Sequence, residues 1–374
     1  MDLQYSVQQA NSCGGVFQEL IGKWPPRRDD MFARGKSLLP TMRLDPTRFT
    51  SDDLVHLALE IFLELDLPAL LGVEVERLQR FILAVRSRMF DNPYHNWVHA
   101  FDVTQTVYAL SLRTGTMSRL SAWEKFALLV GALCHDLEHP GVSSLFLEHA
   151  ADLAPYFKGP VLEKHHALRA FEVMVDREIG ILDGLNTVEY YEFRGNVSKA
   201  ILATEIARHK DYISRMDEHL AGHQNTAPQD ASKVEASHID KQFEMEIMIK
   251  AADISNVLKP FSVAKRWALK VTDELFLQGD EEAARGLPKT PACDRKTQSR
   301  VALQVGFIDF VCSPFYDRLA QIYPDIRDSV EQMQENRNMW AAYTDDLLLR
   351  SRDSSEQALT PFIEEFRRAS SNPV

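Results

Sequence analysis

Histidines and acids crowd into two short motifs, HNWVH at 95–99 and HDLEH at 135–139, and Asp253 follows in the run MEIMIKAADISNVLK. His95 and His99 are four apart, so on a helix their imidazoles leave the same face. That spacing also arises on solvated faces and carries little alone. His135, Asp136 and His139 come directly after the apolar run Phe126 to Cys134, where a strongly polar cluster is costly unless something pairs with it. A metal ion is the natural partner. Mixed imidazole and carboxylate ligands suit Zn²⁺ or a similar first-row ion, while a second ion held mostly by water and a bridging carboxylate suits Mg²⁺ or Mn²⁺. Asp136 is the candidate bridge. Asp253 reads either as a further ligand or as a surface pair with Lys250, three residues earlier; beside two histidine motifs the ligand reading is preferred.

The elements that must position these groups read as helices. Apolar residues recur at helical spacing through Val75, Leu78, Phe81, Ile82, Val85 and Met89, and again from Ile239 through Phe243, Ile247, Ala251 and Ile254 to Leu258. Thr50 with Asp53 and Ser121 with Glu124 have the form of capping boxes. No stretch alternates with period two, which predicts an all-α fold, a compact multi-helix bundle. Residues 22–40, 222–238 and 279–298 carry the Pro, Gly and polar content of loops. The expected division is a loop-rich N-terminal extension over 1–50, one helical domain over 51–360 and a C-terminal tail over 361–374.

Composition removes several function classes. The 374 residues are 45% hydrophobic, enough for a large core, and 42 Lys plus Arg against 54 Asp plus Glu give a net charge of −12. Such a charge repels a polyanion, so nucleic acid is not an expected partner. Four cysteines, Cys13, Cys134, Cys293 and Cys312, form no CxxC pair or dense framework, which fits a reducing compartment. The start lacks a secretory signal and no apolar run is long enough to cross a bilayer, so a cytoplasmic location is expected. Composition leaves the oligomeric state open.

Six segments occur in a telling order: YHNWVHAFDV, HDLEHPGVSS, LEKHHA, LATE, AADISN and QVGFIDF. Together, over roughly residues 70–345, they resemble the catalytic domain of the class I cyclic nucleotide phosphodiesterases, within the wider HD superfamily. The resemblance implies that His99, His135, Asp136 and Asp253 bind a first metal, usually zinc, and that Asp136 bridges to a second, usually magnesium. It makes His139 a contact to the second ion's water shell, His95 the general acid, and Glu163 the carboxylate that orients His95. Tyr94, in the same motif as His95, is counted with the substrate-binding residues. The chemistry agrees with this division: cleavage of a cyclic phosphodiester needs an in-line nucleophile, charge neutralisation on the phosphoryl oxygens and a proton for the leaving alkoxide.

Gln304 and Phe307 are three apart and share a helical face, so an amide can meet a purine edge while a ring stacks on the base. The resemblance makes Gln304 the purine-binding glutamine and Phe307 one jaw of a clamp, with Val271 as the other. Core packing is the ordinary fate of a Phe. Asn256 sits where cAMP-preferring relatives often carry Asn, which points to a cyclic purine nucleotide, cAMP before cGMP. Two departures stand out: Glu205 replaces the usual Asp after LAT, and Lys164 replaces the usual Asn of LEKHH. The resemblance puts Thr204, Glu205, His166 and His209 in the surroundings of the metals, with structural roles for His166 and His209 at least as natural. The rival readings are a broader HD phosphohydrolase, which has no need of QVGFIDF and AADISN, and a non-catalytic nucleotide sensor, which has no need of a general acid.

Overall fold

The computed structural model describes residues 23–149, 160–224 and 239–350, and every regular element among them is helical. The expected all-α architecture is what the chain adopts. Thirteen of the helices carry the argument: α1 (Asp29–Lys36), α2 (Ser51–Glu64), α3 (Val75–Ser87), α4 (Trp97–Arg113), α5 (Ala122–Cys134), α6 (Val161–Met174), α7 (Thr187–Ala203), α8 (His209–Gln224), α9 (Lys241–Asp253), α10 (Phe261–Ala284), α11 (Arg300–Phe307), α12 (Ser313–Ile322) and α13 (Arg327–Ala341).

Helix α5 lies at the centre, packed against α4, α7 and α9. The reason is its composition. All of Phe126–Cys134 is buried, so this helix has no solvent face to spare, and each large side chain so buried contributes about 1.5–3 kcal/mol. Gly131 lets α7 approach closely, since a Cβ there would sit 3.2 Å from the Ala200 Cβ. Both expected capping boxes form: the Thr50 hydroxyl accepts from Asp53 N at the start of α2, and the Ser121 hydroxyl accepts from Glu124 N at the start of α5. Met174, Met245 and Met248 fill the core, as their helical spacing implies.

Residues 23–49 are more than an appendage. Helix α1 packs on α2, and Leu39, Met42, Leu44 and Phe49 join the main core cluster. Their burial outweighs a Pro- and Arg-rich local composition, so the expected boundary at residue 50 falls inside continuous packing. The expected loop over 279–298 begins later, because α10 continues to Ala284. Gly279 belongs to that helix: a Cβ there would meet the Cys293 carbonyl oxygen at 2.0 Å, so its bareness admits the returning backbone.

Helices α11 and α12 are joined by a π-helical turn at Ile308–Cys312. Pro314 supplies the cause, since it lacks the N–H that the Phe310 carbonyl would otherwise accept. His209 Nε2 bonds the nearby Val311 carbonyl at 3.0 Å. Residues 1–22, 150–159, 225–238 and 351–374 lie outside the described residues, and with them Cys13, His238, most of the 222–238 loop and the proposed tail. No helix among the described residues is long and apolar enough to cross a membrane.

Candidate active site

Four ligand-type residues from three elements converge. His99 comes from the first turn of α4, His135 and Asp136 from the turn that ends α5, and Asp253 from the last residue of α9. Their ligand atoms all lie within 4.8 Å of one another. His135 Nε2 is 3.1 Å from Asp136 Oδ2 and 3.4 Å from Asp253 Oδ1; His99 Nε2 is 3.4 and 3.3 Å from the same two atoms. Four ligands held at about 2.0–2.1 Å around one tetrahedral ion would be separated from each other by about 3.3–3.4 Å. The donor set fits a first-row cation on spacing as well as on type.

Orphaned atoms point the same way. His99 Nε2, His135 Nε2 and Asp136 Oδ2 are buried without a hydrogen-bond partner. Burying such groups unpaired costs about 1–3 kcal/mol each, more for a charged one. His135 also has its tautomer set for ligation: Nδ1 donates to the Ala132 carbonyl at 2.8 Å, which leaves a lone pair on Nε2. Beside this cluster, Asp136, His139 and His166 form a second group of possible ligands sharing the Asp136 carboxylate. His166 Nδ1 donates to the Leu137 carbonyl at 2.7 Å, and its Nε2 is left 3.8 Å from Asp136 Oδ1.

The sequence places His95 and His99 on one helical face, and the structure does not. Asn96 is the N-cap of α4, with extended backbone, and its Oδ1 accepts from Val98 N and His99 N. His95 therefore precedes the helix. Asx-type capping wins because it satisfies two of the otherwise unpaired N–H groups at the helix start. The two rings still lie 5.7 Å apart, and His95 stacks on His139 at 3.9 Å. Asn92 binds the two motifs together, donating to the His95 carbonyl at 2.8 Å and the His139 carbonyl at 2.7 Å.

The carboxylate that orients His95 is Glu274 of α10, and the expectation of Glu163 in that role is corrected. Glu274 Oε1 bonds His95 Nδ1, while Oε2 accepts from the backbone N–H groups of Tyr94 at 2.9 Å and His95 at 3.0 Å. Burial would lower the His95 pKa, but the charges of Glu274 and Asp136 and the bond from Glu274 raise it to about 9. Burial would raise Glu274, yet His95 holds it down to about 2. Both shifts run in the direction that favours a charged imidazole beside a charged carboxylate. Glu163 lies elsewhere: its Oε2 is buried without a partner, and burial with the charges of Glu205, Asp136 and Asp253 pushes its pKa up to about 7. Glu274 occurs in no histidine motif, and an acid in the amphipathic run of α10 carries no local sign of its partner.

The remaining candidates lie on or next to α7, α9, α10 and α11. Gln304 is buried on α11, and Phe307 is half-buried against the main core. Val271 packs on the cluster of Tyr94, Val263 and Trp267, next to His99. Asn256 follows α9 in a short 3-10 turn, with its Oδ1 buried and unbonded. Thr204 caps the end of α7, its hydroxyl on the Ile201 carbonyl. His56 is a buried structural residue whose Nε2 bonds the Pro25 carbonyl at 2.9 Å.

Comparison with known proteins follows the same lines. Residues 94–333 match the family of 3′5′-cyclic nucleotide phosphodiesterases, and the chain belongs to that family. Among curated relatives it is 36% identical over 311 residues to the 3′,5′-cyclic-nucleotide phosphodiesterase regA of Dictyostelium discoideum, covering 82% of this chain and 38% of that one. It is 37% identical over 235 residues to the bovine (Bos taurus) dual specificity calcium/calmodulin-dependent 3′,5′-cyclic nucleotide phosphodiesterase 1B, covering 62% of this chain and 42% of the relative. The chain thus spans less than half the length of these relatives. Among solved structures, the phosphodiesterase domain of the RhoPDE fusion protein from the choanoflagellate Salpingoeca rosetta superposes with a TM-score of 0.74 at 27% identity, covering 87% of this chain and all 100% of that one. LmjPDEB1 in complex with IBMX gives a TM-score of 0.72 at 27% identity over 85% of this chain and 98% of that structure.

Proposed function

We propose that this chain hydrolyses 3′,5′-cyclic purine nucleotides to 5′-monophosphates, cAMP in preference to cGMP, with His95 as the general acid. One observation carries the reading: a four-ligand cluster with orphaned imidazole nitrogens lies beside the His95 imidazole held by the buried Glu274 carboxylate.

His99, His135, Asp136 and Asp253 would hold the first divalent cation, read as zinc, and Asp136 with the surroundings of His139 would serve a second, read as magnesium or manganese. Cations so held supply charge neutralisation at the phosphoryl oxygens and an acidified water. The chain's own residues do the rest. His95 keeps a proton at Nε2 because Glu274 engages Nδ1 and stabilises the charged ring. As water adds to phosphorus and the P–O3′ bond breaks, that proton passes to O3′, leaving the 5′-phosphate and a free 3′-hydroxyl. Gln304 offers its amide to the purine edge, with Phe307 and Val271 as apolar faces for the base and Asn256 for the adenine preference.

The test is hydrolysis of labelled cAMP and cGMP by purified protein with Mg²⁺, beside a chelator control and His95→Ala. Turnover of cAMP with a higher kcat/KM than cGMP, lost on chelation, is the expected result. Binding without turnover, or hydrolysis of nucleoside triphosphates instead, overturns it.

A further inference from the structure

His209 is the sequence candidate that the proposed chemistry leaves without a task. The resemblance puts it near the metals, yet no group of possible ligands among the described residues includes it. It is the first residue of α8, 7% exposed, and it faces the end of α11 instead. Its Nε2 donates to the Val311 carbonyl at 3.0 Å, and its ring stacks on the buried Phe315 of α12 at 5.4 Å. Burial holds its pKa below the usual value, and so does the Lys250 ammonium, which itself donates to the Ala203 and Glu205 carbonyls at 3.0 Å each. Both favour a neutral ring, and the bond to a carbonyl puts its one proton on Nε2. Nδ1 is then buried without a partner, a cost that a Phe or Leu filling the same space would not carry.

Val311 lies in the π-helical turn Ile308–Cys312, which directly continues the helix that carries Gln304 and Phe307. The Ile308 N–H donates to the Gln304 and Val305 carbonyls, so this turn and the last turn of α11 share one hydrogen-bond ladder. A π turn takes in one residue more than an α turn, which rotates the helix before it by about 100° relative to the helix after it. The geometry of the turn therefore decides which way Gln304 and Phe307 face. Two side chains pin it. Arg337 of α13 holds Asp309 with bonds of 3.0 and 2.8 Å, and His209 holds Val311 from the α8 side. The Asp309 pair is about a third exposed on both partners and is screened by solvent, so the bond from the buried imidazole is the firmer constraint.

We propose that His209 is a positioning residue of the nucleotide site: by holding the Val311 carbonyl it keeps the π turn in register and so aims Gln304 and Phe307 at the purine. This rests on the reading of Gln304 and Phe307 as base contacts. It assigns His209 to the base and not to the cations, and the two assignments differ in what a variant changes. A role at the cations moves cation affinity and kcat. A role at the π turn moves KM.

The experiment compares the full chain with His209→Phe, which keeps the stack on Phe315 and loses the donor, and with His209→Gln, whose amide restores an N–H at similar reach. Steady-state hydrolysis of cAMP is measured beside a titration of chelator-stripped protein with Mn²⁺, with circular dichroism as the folding check. His209→Phe is expected to raise KM about five- to tenfold, with kcat and Mn²⁺ affinity within about twofold of wild type. His209→Gln is expected to recover most of the loss. Unchanged KM in folded His209→Phe overturns the proposal, as do weakened Mn²⁺ binding, equal falls in kcat and kcat/KM, or a His209→Gln no better than His209→Phe. Should His209→Phe fail to fold, His209→Asn, whose amide stops short of the Val311 carbonyl, decides: a raised KM with unchanged Mn²⁺ affinity supports the proposal and an unchanged KM overturns it. A wild type that hydrolyses no cyclic nucleotide would count against the proposed function, and equilibrium binding of cAMP then decides the role of His209. Binding weakened in His209→Phe and restored in His209→Gln supports it; equal binding in all three overturns it.

Discussion

His95 and Glu274 are 179 positions apart in the chain, and one carboxylate of Glu274 bonds both the ring and the backbone N–H of His95. The arrangement fixes where the imidazole points and which of its nitrogens remains free. It also sets the pH range over which the ring carries a proton.

Replacing Glu274 by Gln removes the partner that raises the His95 pKa. A histidine raised to about 9 stays protonated to higher pH than a free one, so the alkaline limb of kcat/KM for cAMP moves to lower pH in Glu274→Gln. Activity at neutral pH should fall by about 10²–10⁴-fold in both His95→Ala and Glu274→Gln. A pH profile of Glu274→Gln superposable on wild type would remove Glu274 from this role. Glu163→Gln is expected to leave that limb where it is.

Stripping the cations should cost stability as well as activity. Chelation leaves the imidazoles of His99 and His135 buried and unpaired, and restoring Zn²⁺ at about 100 times its dissociation constant adds about 2.7 kcal/mol. Differential scanning calorimetry should show Tm rising on Zn²⁺ addition in wild type and failing to rise in His135→Ala.

Asp345 caps the helix that presents Gln304. Its carboxylate accepts from the Ser299 hydroxyl at 3.0 Å, Arg300 N at 3.2 Å and Val301 N at 3.0 Å, all at the start of α11. Asp345→Ala should lower stability by about 1 kcal/mol and raise KM for cAMP more than it lowers kcat. Equal losses in kcat and kcat/KM would place the effect on the chemical step instead.

Asp53 joins the N-terminal segment to α2. Hydrogen bonding from Arg28 first, then from Thr50, holds its carboxyl down to about 2 against the opposing effect of burial. A folded-state pKa below the unfolded one contributes stability that is present above about pH 4 and lost as pH falls through about 2. Asp53→Asn should therefore unfold more readily by about 1–2 kcal/mol at neutral pH, with the difference from wild type vanishing in denaturant melts near the acid end.

The helices, their caps and the four metal-ligand candidates were legible in the sequence because each depends on local chemistry. Thr50 and Ser121 reach N–H groups three residues on, and the turn after an apolar helix must satisfy whatever polar groups it buries. Even within a motif, local spacing misled once: the separation of His95 and His99 has the form of one helical face, yet Asn96 starts the helix between them. Partners from distant elements left no mark of their own. Glu274 and Lys250 look like ordinary charges on amphipathic helices, and Arg28 like part of a loop. Only the packing of α4 with α10, α9 with α7 and the N-terminal segment with α2 decides what each one meets, because a hydrogen bond across the fold is specified by the position of both backbones and by the sequence of neither strand of chain alone.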